Sequence, residues 1–170
     1  MIQRLLLLVP LLAAGCATEG ALPDADAAEV QRLFTQGCYF AQFDEARSRA
    51  VFGRAGLVEE RITNAAIFTS PDGAVRAELL RFSQPGGNGQ QCSVGGLGVP
   101  ITAVNGLAIR LIESEGGPKG DAKDRSARDG IAIIGFGEAP GEAVAISTSR
   151  EPRAIGGTDF VAIEMTRVTQ

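Results

Sequence analysis

The sequence predicts a single α+β domain, a mainly antiparallel sheet covered by one or two helices, and three observations lead there. Apolar residues recur at helical spacing near residue 30 and again over residues 100–113. Between and after these stretches the period changes to the alternation of strands, punctuated by turns rich in glycine and proline. Residues 16–170 also have the length of one ordinary domain, enough to bury roughly two thirds of the unfolded surface.

Asp26-Ala27-Ala28-Glu29 forms a capping box with Asp in place of the usual Ser or Thr, and Val30, Leu33 and Phe34 follow on one helical face. Gly37 stands where a helix C-cap glycine belongs, so the first helix is predicted over residues 26–36 with Cys38 just beyond its end. A shorter second helix is predicted over residues 44–52 and is broken by Gly53 and Gly56. Residues 62–69 and 74–82 then read as strands flanking Ser70-Pro71-Asp72-Gly73, where proline presets the first turn dihedral and glycine accepts the positive one. In the second strand Val75, Ala77 and Leu79 are predicted to face the core while Arg76 and Glu78 face water. Pro85-Gly86-Gly87-Asn88-Gly89 reads as a flexible loop, and Cys92 and Val94 begin a third short strand.

Residues 100–113 carry two readings. Ile101, Val104, Leu107, Ala108, Leu111 and Ile112 fit one helix face with Pro100 in its first turn, yet Asn105-Gly106 is also a strong hairpin signal. The helix is favoured, because an exposed sheet face needs a cover and no other long apolar helix is present. Residues 113–130, with five acids and four bases, read as a long solvated loop. Three strands follow, over residues 131–136, 143–148 and 159–166, and the continuously apolar Ile131-Ala132-Ile133-Ile134 marks the first of them as central.

The leader has a different character. Met1-Ile2-Gln3-Arg4 supplies a positive start, residues 5–14 are almost wholly apolar, and small residues lead up to Cys16. The run is too short for a stable spanning helix, which needs about 20 residues. Leu12-Ala13-Ala14-Gly15-Cys16 resembles the lipobox of bacterial lipoproteins, with Ala13 where leucine is usual and Pro10 within the apolar run. The resemblance implies cleavage before Cys16 and lipidation of that residue, dividing the chain into a signal peptide (1–15), a lipidated tether (16–25) and the α+β domain (26–170). Ala17, which is not the aspartate that retains lipoproteins at the inner membrane, implies the periplasmic face of the outer membrane. The alternative is ordinary cleavage after a small residue, giving a soluble periplasmic protein. With Cys16 assigned to lipid, Cys38 and Cys92 remain as an even pair, which an oxidising compartment joins as a disulfide. A redox role for that pair is disfavoured by the absence of a Cys-x-x-Cys spacing. The layout of helix, cysteine, hairpin, second cysteine and apolar helix also resembles an unnamed group of small exported bacterial proteins, a resemblance that implies no activity.

Removing the leader takes Arg4 with it, leaving 15 bases against 20 acids and a net charge of −5. Without a basic cluster to neutralise phosphates, nucleic acid is not an expected partner. The chain contains no histidine, which removes the usual base of serine and cysteine hydrolases and the commonest zinc ligand. Lys119 and Lys123 are the only lysines, both in the charged loop where desolvation is not expected. Glu59, Glu60, Glu113, Glu115, Glu138, Glu142 and Glu164 supply carboxylates for a glycan hydrolase, but no spacing selects a pair. Asp121, Asp124 and Asp129 do not have EF-hand spacing, and Lys123, Arg125 and Arg128 oppose a cation there. Gly135-Phe136-Gly137 lacks the third glycine and following helix of a dinucleotide loop, and Gly95-Gly96-Leu97-Gly98 carries little weight alone.

No catalytic, cofactor or metal residues are therefore assigned. The expectation is a non-catalytic lipoprotein acting through protein contacts, as an accessory or inhibitor, with membrane and an envelope protein as partners and the loop 113–130 as a contact segment. The second expectation is a small-ligand or cell-wall binding module with a pocket between sheet and helix lined by Phe68, Phe82, Phe136 or Phe160. The third is a carboxylate-based glycan hydrolase.

Overall fold

A computed structural model describes residues 22–85, 87–116, 132–134, 142–151 and 158–169. Among these residues seven strands form one antiparallel sheet: β1 Val58–Ile62, β2 Ala65–Thr69, β3 Val75–Gln84, β4 Gly87–Leu97, β5 Ala132–Ile134, β6 Glu142–Glu151 and β7 Phe160–Thr169. Their spatial order is β1-β2-β3-β4-β7-β6-β5. Three helices, α1 Ala27–Phe34, α2 Glu45–Arg54 and α3 Ile101–Ser114, complete the predicted α+β architecture.

Side-chain alternation decides which face is covered. Val75, Ala77 and Leu79 of β3 point the same way as Cys92 and Val94 of β4, Val161, Ile163 and Met165 of β7, and Val144 and Ile146 of β6. Against them pack Val30, Leu33 and Phe34 of α1, Phe52 of α2, and Val104, Leu107, Ala108 and Leu111 of α3. Arg76 is exposed and Glu78 half-buried on the opposite face, as the alternation requires.

Asp26 caps α1 by accepting from the Ala28 N–H at 2.9 Å, and Asp44 caps α2 by accepting from Ala46 and Arg47. The first helix does not stop at Gly37. It continues through a π-helical turn, Thr35–Tyr39, that carries Cys38 into the core. Gly37 is needed for packing rather than capping, because a Cβ there would lie 2.8 Å from Phe52 Cζ. The chain then turns through Gln42 and Phe43, whose φ values of 50° and 63° lie in the left-handed region that bulky residues avoid. Helix α2 runs two residues past its expected end, through Gly53, and gives way at Gly56 with φ 82°. Cys38 and Cys92 form the expected disulfide, with Cα atoms 5.5 Å apart, joining the π-helical turn to β4.

Four strand expectations are corrected. Residues 62–69 are not one strand, because Thr63 and Asn64 turn the chain between β1 and β2, with Ile62 paired to Ala65. The glycines at 87 and 89 belong to β4 rather than to a loop: β3 and β4 stay paired out to Gln84 and Gly87. The third strand is accordingly eleven residues long. The apolar run near residue 132 lies at the sheet edge, since β5, β6 and β7 build inward until β7 meets β4, which holds the centre.

Over residues 100–113 the helix is the structure adopted, with Pro100 at the N-cap. Asn105, the potential hairpin corner, instead accepts a 2.6 Å hydrogen bond from the buried Thr148 hydroxyl of β6. Where α3 ends, the Tyr39 hydroxyl donates to Glu115, and burial, reinforced by that carboxylate, pushes its pKa up. Residues 22–25, the part of the expected tether that is described, lie against the domain: Leu22 beside Gly73, Asp24 beside Gly98, and the Ala25 N–H donating to the Leu97 carbonyl at 2.8 Å.

Candidate binding cleft and open sheet face

The helix-covered side of the sheet is apolar only as far as the helices reach. One row beyond Leu79, Cys92, Met165 and Ile146, the same alternation places Arg81 of β3, Gln90 of β4 and Arg167 of β7 side by side. A cleft of about 500 Å³ opens here, lined by Arg81, Phe82, Ser83, Asn88, Gln90, Arg167 and Thr169, with Asn64 from the β1–β2 turn. A second cleft of about 280 Å³ adjoins it, shares Asn64 and Arg81, and adds Arg49, Arg61 and Glu45.

Arg167 is held from three sides. Its guanidinium carbon lies 4.6 Å from the centre of the Phe43 ring, its Nε is 3.4 Å from Glu142, and one terminal nitrogen donates to the Gln90 side chain. Phe43 thus reaches the arginine from a left-handed backbone conformation, a strain of order 1–3 kcal/mol for a non-glycine residue. The arginines of the second cleft are paired: Glu59, outside its lining, takes Arg61 at 2.6 Å and also Arg49, and Glu45 takes Arg49 at 3.7 Å and also Arg81. These half-exposed pairs add little stability, typically about 0–1 kcal/mol each. Each guanidinium has five N–H donors, and the partners named take only some of them.

The opposite sheet face has no described helix packed on it. Across its middle run Glu60, Ile67, Glu78, Ser93, Glu164 and Ser147, one from each of six adjacent strands. Glu164 accepts from Gln91 at 2.6 Å and from Ser147 at 2.5 Å, and Arg76 donates to Glu78 at 3.1 Å. Two aromatic rings lie over glycines of β4, Phe82 over Gly89 and Phe160 over Gly95. At one end, all five residues of β1 are exposed, Val58 by 67% and Ile62 by 53%, and β2 is the only described strand paired with β1.

The expected aromatic pocket between sheet and helix does not form from the residues assigned to it. Phe68 is buried in the core, its ring 5.1 Å from that of Phe52 and tilted against it; Phe160 lies on the open face; Phe82 alone lines a cleft, at the end of the sheet; Phe136 falls outside the described residues. The candidate glutamates are dispersed. Glu59 and Glu60 lie on β1, Glu113 and Glu115 at the end of α3, Glu142 beside Arg167 and Glu164 on the open face, and none lines either arginine cleft. Cys16, Lys119, Asp121, Lys123, Asp124, Arg125, Arg128, Asp129, Gly135, Gly137 and Glu138 lie outside the described residues. Gly96 and Gly98 serve close packing, Gly96 against Ala25, Val30 and Val99 and Gly98 beside Asp24.

Sequence reading passed over Arg81, Arg167, Phe43 and Asn64. The available signal was parity: Arg81 continues the phase of Val75, Ala77 and Leu79, and Arg167 that of Val161, Ile163 and Met165. A charge in register with a core stripe marks where the covering layer ends. Comparison with family models, with curated proteins and with solved structures returns no match to this chain.

Proposed function

We propose that this chain is a non-catalytic lipoprotein, anchored through Cys16 at the periplasmic face of the outer membrane, that acts through protein contacts as an accessory or inhibitor. The observation that carries the reading is the open sheet face, which ends at a fully exposed edge strand bearing Val58. An unpaired edge with apolar side chains invites strand addition by another chain, and monomeric proteins ordinarily blunt or cover such edges. The lipobox-like Leu12-Ala13-Ala14-Gly15-Cys16 supplies the anchor in this reading, and acylation at about 0.8 kcal/mol per buried methylene holds the domain at the bilayer.

Gentle detergent extraction of the lipidated protein from its native membrane, followed by mass spectrometry, tests both parts. The expected result is a diacylglycerol-modified Cys16 and a stoichiometric envelope protein, which a Val58→Arg, Ile67→Arg variant loses by at least tenfold while keeping its circular dichroism. Recovery of the folded protein alone sets the protein-contact reading aside in favour of ligand or cell-wall binding. An unmodified Cys16 removes the anchor.

A further inference from the structure

We infer that the arginine cleft at the end of the sheet is a binding site for a small carboxylate-bearing ligand that also carries amide or hydroxyl groups. The cleft is independent of the open face on which the protein-contact reading rests.

The first argument is charge. The chain as a whole is acidic, yet among the described residues the larger cleft is lined by two arginines and no Asp or Glu. Glu142, the carboxylate nearest Arg167, stands outside that lining, and Glu45, the partner of Arg81, belongs to the smaller cleft. A guanidinium offers paired N–H donors in a planar fork that matches a carboxylate.

The second argument is that the fork is held in place before any ligand arrives. Arg167 lies over Phe43, which the chain places there by adopting φ 63°, donates a hydrogen bond to Gln90 and is ion-paired with Glu142. Fixing an arginine in advance removes ordering cost from binding. A surface ion pair needs no such support from a left-handed phenylalanine.

The third argument is the remaining lining. Asn64, Asn88, Ser83 and Thr169 are neutral donors and acceptors. That combination fits a ligand with one anionic end and a polar body, and a volume of about 500 Å³ admits one of drug size. A short peptide with a free C-terminal carboxylate and a sugar acid share this chemistry. The position is consistent with capture from the aqueous phase: the cleft and residues 22–25 lie at opposite ends of β3, whose ten residues span roughly 30 Å.

The test is a calorimetric titration of the full mature protein in detergent micelles, with four probes: a tripeptide with a free C-terminal carboxylate, its C-terminal amide, glucuronic acid, and inorganic phosphate. At least one carboxylate probe should bind, and the peptide amide should bind at least tenfold more weakly than the acid. The stronger of the two acids identifies the source of the ligand. Arg167→Ala and Arg167→Lys should each weaken binding tenfold or more, the lysine variant because it keeps the charge and loses the fork. As Arg167 also packs on Phe43, Asn88→Asp provides a variant outside that contact and should weaken carboxylate binding by a similar factor. Val58→Arg with Ile67→Arg should leave the titration unchanged, so failure here and failure of the protein-contact reading are separately visible. Absence of binding by both acids, binding of phosphate alone, or affinity within twofold of the parent in folded Arg167→Lys and Asn88→Asp overturns the proposal.

Discussion

Gly37 shows how one missing methyl group can be a requirement of the core. Phe52 is fully buried, so its ring cannot swing aside from a Cβ that would sit 2.8 Å from Cζ. Gly37→Ala should cost about 1–3 kcal/mol, despite alanine's better helix propensity, measured as a fall in the urea midpoint. Asp72 works through charge instead. It accepts from the Ser70 hydroxyl at 2.5 Å and the Ala74 N–H at 3.1 Å, and these bonds hold its pKa below the ordinary aspartate range. A folded-state pKa below the unfolded value adds stability above the unfolded pKa, and that contribution disappears as pH falls through the folded value. Melting curves of the parent and Asp72→Ala should therefore differ most near neutrality and converge in acid, and a difference that grows on acidification would contradict the assignment.

At the scale of elements, the disulfide is a covalent constraint on the helical layer. Its 54-residue span ties the π-helical turn to the central strand, and on the chain-entropy account closure of such a loop stabilises by about 4 kcal/mol. A Cys38→Ala, Cys92→Ala variant should lose stability of that order in equilibrium urea unfolding, and unchanged stability would mean that the core alone fixes the layer. Much of this arrangement was legible in the sequence. The capping Asp26, the phase of Val75, Ala77 and Leu79, the helical face from Ile101 to Ile112 and the cysteine pair all express local rules that the fold obeys. What was not legible depends on neighbours far away in sequence. The turn at Thr63-Asn64 has no glycine or proline to announce it, and β1 reads as a charged segment because only one described strand pairs with it. Gly37 looks like a cap until Phe52 is in place. The cleft was hidden for the same reason: Arg81, Gln90 and Arg167 come from three strands, and only the register brings them into one row.

Across the whole molecule, the chain is built as two meanders, β1 to β4 and β5 to β7, that meet where β4 pairs with β7. Helix α3 precedes the second meander in sequence yet packs on β6 and β7, and it touches α1 as well. The first meander therefore carries the lid for the second, and neither has a complete interior without the other. Val144, Ile146, Ile163 and Met165 would be left facing water if α3 were removed. The interlock makes the covalent link between the halves dispensable once the sheet has closed. Two polypeptides, one ending after α3 and the other beginning before β5, would still be clasped by ten strand-to-strand register pairs and a shared helix, a divided molecule that holds together until denatured.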